Sequence, residues 1–190
     1  MKHVSSKSAA LLGLVLTAFG GVAQAQSKDF LSNPYLEVGY MPWSYTEAYS
    51  GSTYTWNNGG AIRLIFGMDV HDNVAVEVLY ATDVTDPTVT IGTYSSSANW
   101  ASTYGVYAKP NIDVAKDVNL FARVGYAMTS LTASPTSTRS RTLSSDSMSY
   151  GLGASYKINK SISINGDYMV YYQGNPSVVS GYTIGLGFNF

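Results

Sequence analysis

The 190-residue chain has no cysteine, which excludes a disulfide scaffold and a lipid-modified cysteine behind an export signal. Histidine is almost missing, with only His3 and His71. Charged residues amount to 12%, about half the ~25% of an ordinary soluble domain. The 11 Lys and Arg nearly balance the 12 Asp and Glu, so no charge excess points to nucleic acid. No apolar run reaches the roughly 20 residues that a membrane-spanning helix needs. Mean hydropathy is +0.01, a value that half-polar membrane strands also produce. What the chain does have is Tyr and Gly, 16 and 18 of them, and a length that suits one domain.

Lys2, His3 and Lys7 make a basic start, followed by a short apolar run at residues 9–19. Ala23-Gln24-Ala25 then supplies a small-x-small cleavage site, with Ala23 and Ala25 as the small residues. This is the layout of a secretory signal peptide. Residues 1–25 are expected to be removed and residues 26–190 to form the mature domain.

The clearest pattern lies at the C-terminus. Tyr182, Ile184, Leu186, Phe188 and Phe190 alternate with Thr183, Gly185, Gly187 and Asn189. Period two makes a strand with two unlike faces. One face here is bulky and apolar, the other small and polar, and neither is charged. A transmembrane barrel strand, apolar toward lipid and polar toward the lumen, has this pattern. Alternating runs at 35–45, 60–70, 74–82, 102–112, 118–129, 147–158 and 161–173 precede the last one at 178–190. The predicted fold is all-β, an eight-stranded antiparallel up-and-down transmembrane β-barrel. Residues 88–94 also have strand composition, which fits either an extension of the third and fourth strands or a further hairpin. Pro42 marks the outer end of the first strand or a bulge.

Long polar connections at 83–101 and 130–146 alternate with tight turns at His71-Asp72-Asn73, 113–117 and Asn159-Lys160. Outer-membrane barrels place long loops outside and tight turns on the periplasmic side. The layout resembles the small outer-membrane β-barrel family, which includes the outer-membrane protein A-type and opacity-type barrels, over essentially all of residues 26–190. The ending Tyr182, Ile184, Leu186, Phe188 and Phe190 is similar to the C-terminal signal by which the outer-membrane assembly machinery recognises its substrates. The resemblance implies a monomer in a Gram-negative outer membrane, in contact with membrane lipid and lipopolysaccharide. It also implies engagement of the assembly machinery during biogenesis. Phe190 is the last residue, so the cell-wall-binding domain of two-domain members is not expected.

In this register Glu37, Arg63, Glu77, Arg123 and Asp167 point inward, with Lys109 and Lys157 nearer strand ends. Ions in a narrow interior must pair or carry a desolvation penalty of several kcal/mol each. Eight strands enclose just enough space for their own side chains. The expectation is an acid–Arg network that plugs the lumen, with a gated ion pathway through it as the functional alternative. The inward glycines, Gly39, Gly67, Gly105, Gly125, Gly151, Gly153, Gly185 and Gly187, fit close packing at tight curvature. Aromatics near strand ends, among them Tyr40, Tyr80, Tyr104, Tyr126, Tyr150, Tyr156, Tyr168, Tyr172 and Tyr182, suit belts at headgroup level. Trp43 and Trp100, at loop bases, are candidates for ligand contact.

Catalysis by an activated hydroxyl or water needs a base near the outer rim. His3 lies in the signal and His71 in a periplasmic turn, so no enzyme, cofactor or metal site is expected. A calcium shared by Asp83 and Asp86, and pairing of Arg139 and Arg141 with lipopolysaccharide phosphates, are weighed against plain solvated loops. The expected function is that of a non-enzymatic barrel contributing to envelope integrity or surface interaction through external loops. Two alternatives stay open: a narrow channel for ions or small solutes, and a secreted lipocalin-like barrel that binds a small apolar ligand. The second would turn its large apolar residues inward.

Overall fold

The computed structural model describes residues 31–49, 52–85, 88–91, 94–135, 141–174 and 177–190. The expected cleavage site at Ala23 and Ala25 lies outside them. The strands are β1 (Ser32–Tyr49), β2 (Ser52–His71), β3 (Val74–Thr85), β4 (Thr88–Ile91), β5 (Tyr94–Ala115), β6 (Val118–Pro135), β7 (Arg141–Lys157), β8 (Ile162–Gly174) and β9 (Ser177–Asn189). Neighbours follow the order β3-β2-β1-β9-β8-β7-β6-β5, and β3 pairs with β5 to close the ring. Eight antiparallel strands therefore make the barrel. The short β4 is an added arm that pairs with the start of β5, Ile91 opposite Tyr94.

Alternation dictates the two faces. Across the wall, odd-numbered residues point into the lumen and even-numbered ones outward, as in β8, where Ser163, Asn165, Asp167 and Met169 are buried and Ile164 and Tyr168 exposed. Seven of the eight barrel strands carry one tyrosine in the outward row nearest the long-strand end: Tyr40, Tyr80, Tyr104, Tyr126, Tyr150, Tyr168 and Tyr182, all exposed. Tyr80 meets Tyr104 at 5.1 Å between ring centroids, and Tyr168 meets Tyr182 at 4.7 Å. From Tyr104 down through Val106 to Ile112 the outward face is an apolar band. At about 3.3 Å per residue and a tilt of about 40° it covers roughly 20 Å.

At the opposite end of the barrel from the tight turns, strands run on where loops were expected. β1 and β2 pair as far as Tyr49 and Ser52, β5 and β6 as far as Ser96 and Pro135, and β6 and β7 as far as Ala133 and Arg141. The supposed connections at 83–101 and 130–146 are thus largely strand. Their Ser/Thr-rich sequence has no apolar alternation to read. Their backbone groups still need partners, and continuing an existing ladder supplies them. A register shift between Trp43 and Tyr45 follows Pro42, so the proline precedes a bulge. At the other end Asn159 Oδ1 accepts the backbone N–H groups of Ser161 and Ile162 at 2.8 and 2.9 Å, closing a tight turn.

Candidate functional site

The lumen is filled in three layers, and the middle one is ionic. Arg123, fully buried at the centre of β6, donates from Nε and Nη2 to Glu77 at 2.6 and 3.0 Å. It also donates from Nη2 to Glu37 at 2.7 Å and from Nη1 to Asp167 at 2.5 Å. Arg63 donates to both oxygens of Asp167, at 2.7 and 2.5 Å, and to Tyr171 Oη at 3.0 Å. The five interior residues named from the sequence meet in one cluster. Lys109 joins them, 3.0 Å from Glu37 and 3.3 Å from Glu77, with its Nζ 4.6 Å from the centroid of the Phe121 ring. Lys157 does not: it is half exposed, 3.7 Å from Asp113. Glu37, Glu77 and Asp167 offset Arg63, Lys109 and Arg123, so the layer is formally neutral. That balance matters because an unpaired ion at this depth would retain a penalty of several kcal/mol.

Between this layer and the long-strand end lies an apolar cluster that includes Met41, Trp43, Ile65, Leu79, Tyr107, Met169, Tyr171 and Val179. Sequence reasoning missed it as a layer. The signal was parity, since each of these residues is odd-numbered like Glu37 and Arg63. Trp43 is corrected by it: only 2% exposed, it fills the lumen rather than standing open to a ligand. Its Nε1 donates to Asp83 Oδ1 at 3.1 Å, which engages one of the two carboxylates considered for calcium; Asp86 is outside the described residues. Tyr172 also leaves the lipid belt. A register shift between Val170 and Tyr172 turns it against the interior cluster. The side chains of Trp100 and Arg141, and Arg139 altogether, lie outside the described residues.

Glycine makes room for this packing. A Cβ on Gly125 would run into Val106 O and would stand 2.7 Å from the Tyr107 ring, and one on Gly153 would stand 2.5 Å from Phe121 Cζ. The third layer, at the tight-turn end, is polar and encloses a cavity of 190 Å3 lined by Asn33, Asp69, Asn119 and Asn165 among others.

A closed ladder, an outward apolar band under a tyrosine row and charges confined to the axis define an integral membrane β-barrel. The chain matches the family model of the outer membrane protein beta-barrel domain over residues 11–190, and it belongs to that family of bacterial outer-membrane proteins. Its tight turns therefore face the periplasm and its extended strands the exterior. Among solved structures, Ail, the attachment invasion locus protein of Yersinia pestis, is 17% identical with a TM-score of 0.60, covering 84% of this chain and 99% of its own. Neisserial surface protein A is 12% identical at 0.60, covering 83% and 97%. The N-terminal β-barrel domain of Pseudomonas aeruginosa OprF is 13% identical at 0.58, covering 84% and 99%. At these identities the likeness is one of fold. No curated protein sequence matches the chain. The soluble-barrel alternative is set aside: Ile184 is 74% exposed on the outer wall, whereas Glu77 and Arg123 are wholly buried inside.

Proposed function

We propose that the protein is a non-enzymatic outer-membrane barrel with a sealed lumen, acting in envelope integrity or surface interaction through its extended outer ends. The observation that carries this reading is the apolar cluster between the ion layer and the exterior. An ion leaving Arg123 for the outside would have to shed its water beside Met41, Ile65, Leu79 and Met169, which offer no oxygen in exchange, while the Tyr107 and Tyr171 hydroxyls of the same cluster are already engaged with Ser149 and Arg63. The ion layer adds a second barrier, because each of its charges is already engaged. Planar-bilayer recording tests the reading. The purified protein is expected to give no stable single-channel steps; large, stable steps would establish the narrow channel instead.

No catalytic role is assigned. His71 is exposed at the periplasmic end of β2, away from the rim that an external substrate would reach. The proposed partners are membrane lipid and lipopolysaccharide around a monomer. Just outside the tyrosine row the outward face carries Ser44, Ser102, Ser130, Ser144 and Ser180, with Ser130 Oγ donating to Ser144 Oγ at 3.2 Å. Hydroxyls at this level suit sugar head groups, and Arg139 and Arg141 add partners for phosphate. Y. pestis Ail has been solved with the heparin analogue sucrose octasulfate. In the sequence, the outer segments hold those two arginines and four acids, Glu47, Asp83, Asp86 and Asp146. A sulfated glycan is therefore not the surface ligand proposed. The lipid-facing row Tyr182, Ile184, Leu186, Phe188 and Phe190 is proposed as the feature that the assembly machinery recognises.

A further inference from the structure

The three tight turns differ in charge. Between β5 and β6, Lys116 comes two residues after Val114, and between β7 and β8, Lys160 comes two residues after Ile158. Both lysines are exposed, and so are the apolar side chains before them, Val114 by 54% and Ile158 by 53%. Between β2 and β3 the same step, from Val70, leads to Asp72 instead. The two lysine turns are neighbours, on either side of the β6–β7 pair. Lys157 N–H donates to Asp117 O at 2.8 Å and ties one to the other, while Asn159 Oδ1 fixes the second turn. Their centres are two strand spacings apart, about 10 Å, within the joint reach of two lysine side chains.

No carboxylate neutralises these two ammonium groups: among the described residues neither Lys116 nor Lys160 forms an ion pair. Asp113 belongs to the mouth of the polar cavity, where it accepts from Asn119 Nδ2 at 2.9 Å and lies 3.7 Å from Lys157. Asp117 is half-buried and pairs with neither lysine. Next to the two turns the outward face of β6 and β7 sets Val118 opposite Tyr156 and Leu120 opposite Ala154. Tyr156 is 53% exposed, an amphipathic ring at the boundary of the apolar band. Lysine stems lie along apolar surface of this kind while the charge stays at head-group level.

We propose that this pair of turns holds the head group of a net-anionic phospholipid in the periplasmic leaflet. Lys116 and Lys160 receive its phosphate from two sides, Tyr156 donates to a phosphate or ester oxygen, and the acyl chains lie over Val118, Leu120 and Ile164. The inference rests on the reading of membrane lipid as the partner of this wall and narrows it to one lipid class at one sector of the ring. Charge complementarity selects the occupant. A zwitterionic lipid brings its own ammonium beside the phosphate and gains less from the lysines, and the Asp72 turn repels an anionic head group, so the preference is confined to the β5–β8 side.

The test places the refolded protein in nanodiscs made from equal parts of phosphatidylglycerol and phosphatidylcholine, then weighs the released protein with its retained lipids by native mass spectrometry. Phosphatidylglycerol should be enriched about fivefold over phosphatidylcholine, the effect of one ammonium at an anionic membrane surface. Lys116→Gln with Lys160→Gln should abolish the preference, and Lys157→Gln should leave it. Heat-modifiable gel migration checks that each variant still forms a closed barrel. Phosphatidylcholine retained by every variant reports lipid contact of the wall as a whole, so loss of the preference is distinguishable from loss of the membrane reading. The proposal is overturned if the parent retains the two lipids equally, or if the double variant keeps the parent's preference. It is equally overturned if Lys157→Gln removes the preference as fully as the double variant does.

Discussion

The guanidinium of Arg123 holds the carboxylate of Glu77 through two parallel contacts, Nε to Oε2 at 2.6 Å and Nη2 to Oε1 at 3.0 Å, with neither side chain open to solvent. The fork geometry is the strongest arrangement available to such a pair, and it sits at the crossing point of the lumen network. Arg123→Met leaves Glu37, Glu77 and Asp167 to share two cations. It should destabilise the barrel by about 3–5 kcal/mol, read from urea unfolding and refolding in detergent. Adding Glu77→Gln should recover part of that loss, because the orphaned charge is then gone. A single variant as stable as the parent would show that the network contributes nothing to the fold.

Leu64 tests the outer face. It stands mid-band on β2, between Ile62 and Phe66, with its side chain outward. Leu64→Arg should cost about 2–4 kcal/mol near the midplane. The check is the same urea titration in lipid vesicles, and a change under ~1 kcal/mol would place Leu64 away from acyl chains.

Gly125 and Gly166 make a matched pair. A Cβ at Gly125 collides with Val106 O and Tyr107, while one at Gly166 finds its nearest atom 3.9 Å away. Gly125→Ala should destabilise by about 1–3 kcal/mol through overpacking. Gly166→Ala should be neutral or stabilising by up to ~1 kcal/mol, because it restricts the unfolded chain. Reversal of that order in urea midpoints would contradict the packing described for the lumen.

Trp43 offers an optical test. In a variant carrying Trp56→Phe and Trp100→Phe, Trp43 emission should resist both aqueous acrylamide and lipids with brominated acyl chains, since the ring is enclosed in the lumen. Strong quenching from the lipid side would turn the residue outward and undo the sealed outer layer.

Phe190 separates assembly from stability. The residue is 76% exposed, and its backbone N–H donates to Pro34 O at 3.1 Å. Deleting it should lower the amount of protein reaching the outer membrane in cells. The unfolding free energy of the refolded protein should change by no more than about 1 kcal/mol, the worth of one hydrogen bond. Unchanged outer-membrane levels would remove this row as the assembly signal.

Much of the fold was readable residue by residue. The alternation of Tyr182 to Phe190 and of Ile62 to Met68 gave the outward face, and Asp72-Asn73 and Asn159 gave the tight turns. The outer continuations of β5, β6 and β7 were not readable. Segments such as Ser95-Ser96-Ser97 and Ser144-Ser145 carry no difference between faces, and only a neighbouring ladder tells them to be strand. The polar cavity escaped as well, because Asn33, Asn119 and Asn165 come from β1, β6 and β8 and look like ordinary polar residues one at a time.

Apart from Tyr172, which a register shift turns inward, the chain alone determined which side chains meet lipid and which meet the lumen, because period two is a local property of any extended backbone. The tertiary structure decided which inward residues touch. Lys109 of β5 reaches Glu37 of β1, and Arg63 of β2 reaches Asp167 of β8, and in neither case are the strands neighbours in the sheet. Those meetings depend on ring closure and on the stagger between strands, which set the height at which each inward side chain crosses the axis. The same closure stacks the apolar layer above the ionic one and leaves the polar cavity beneath it.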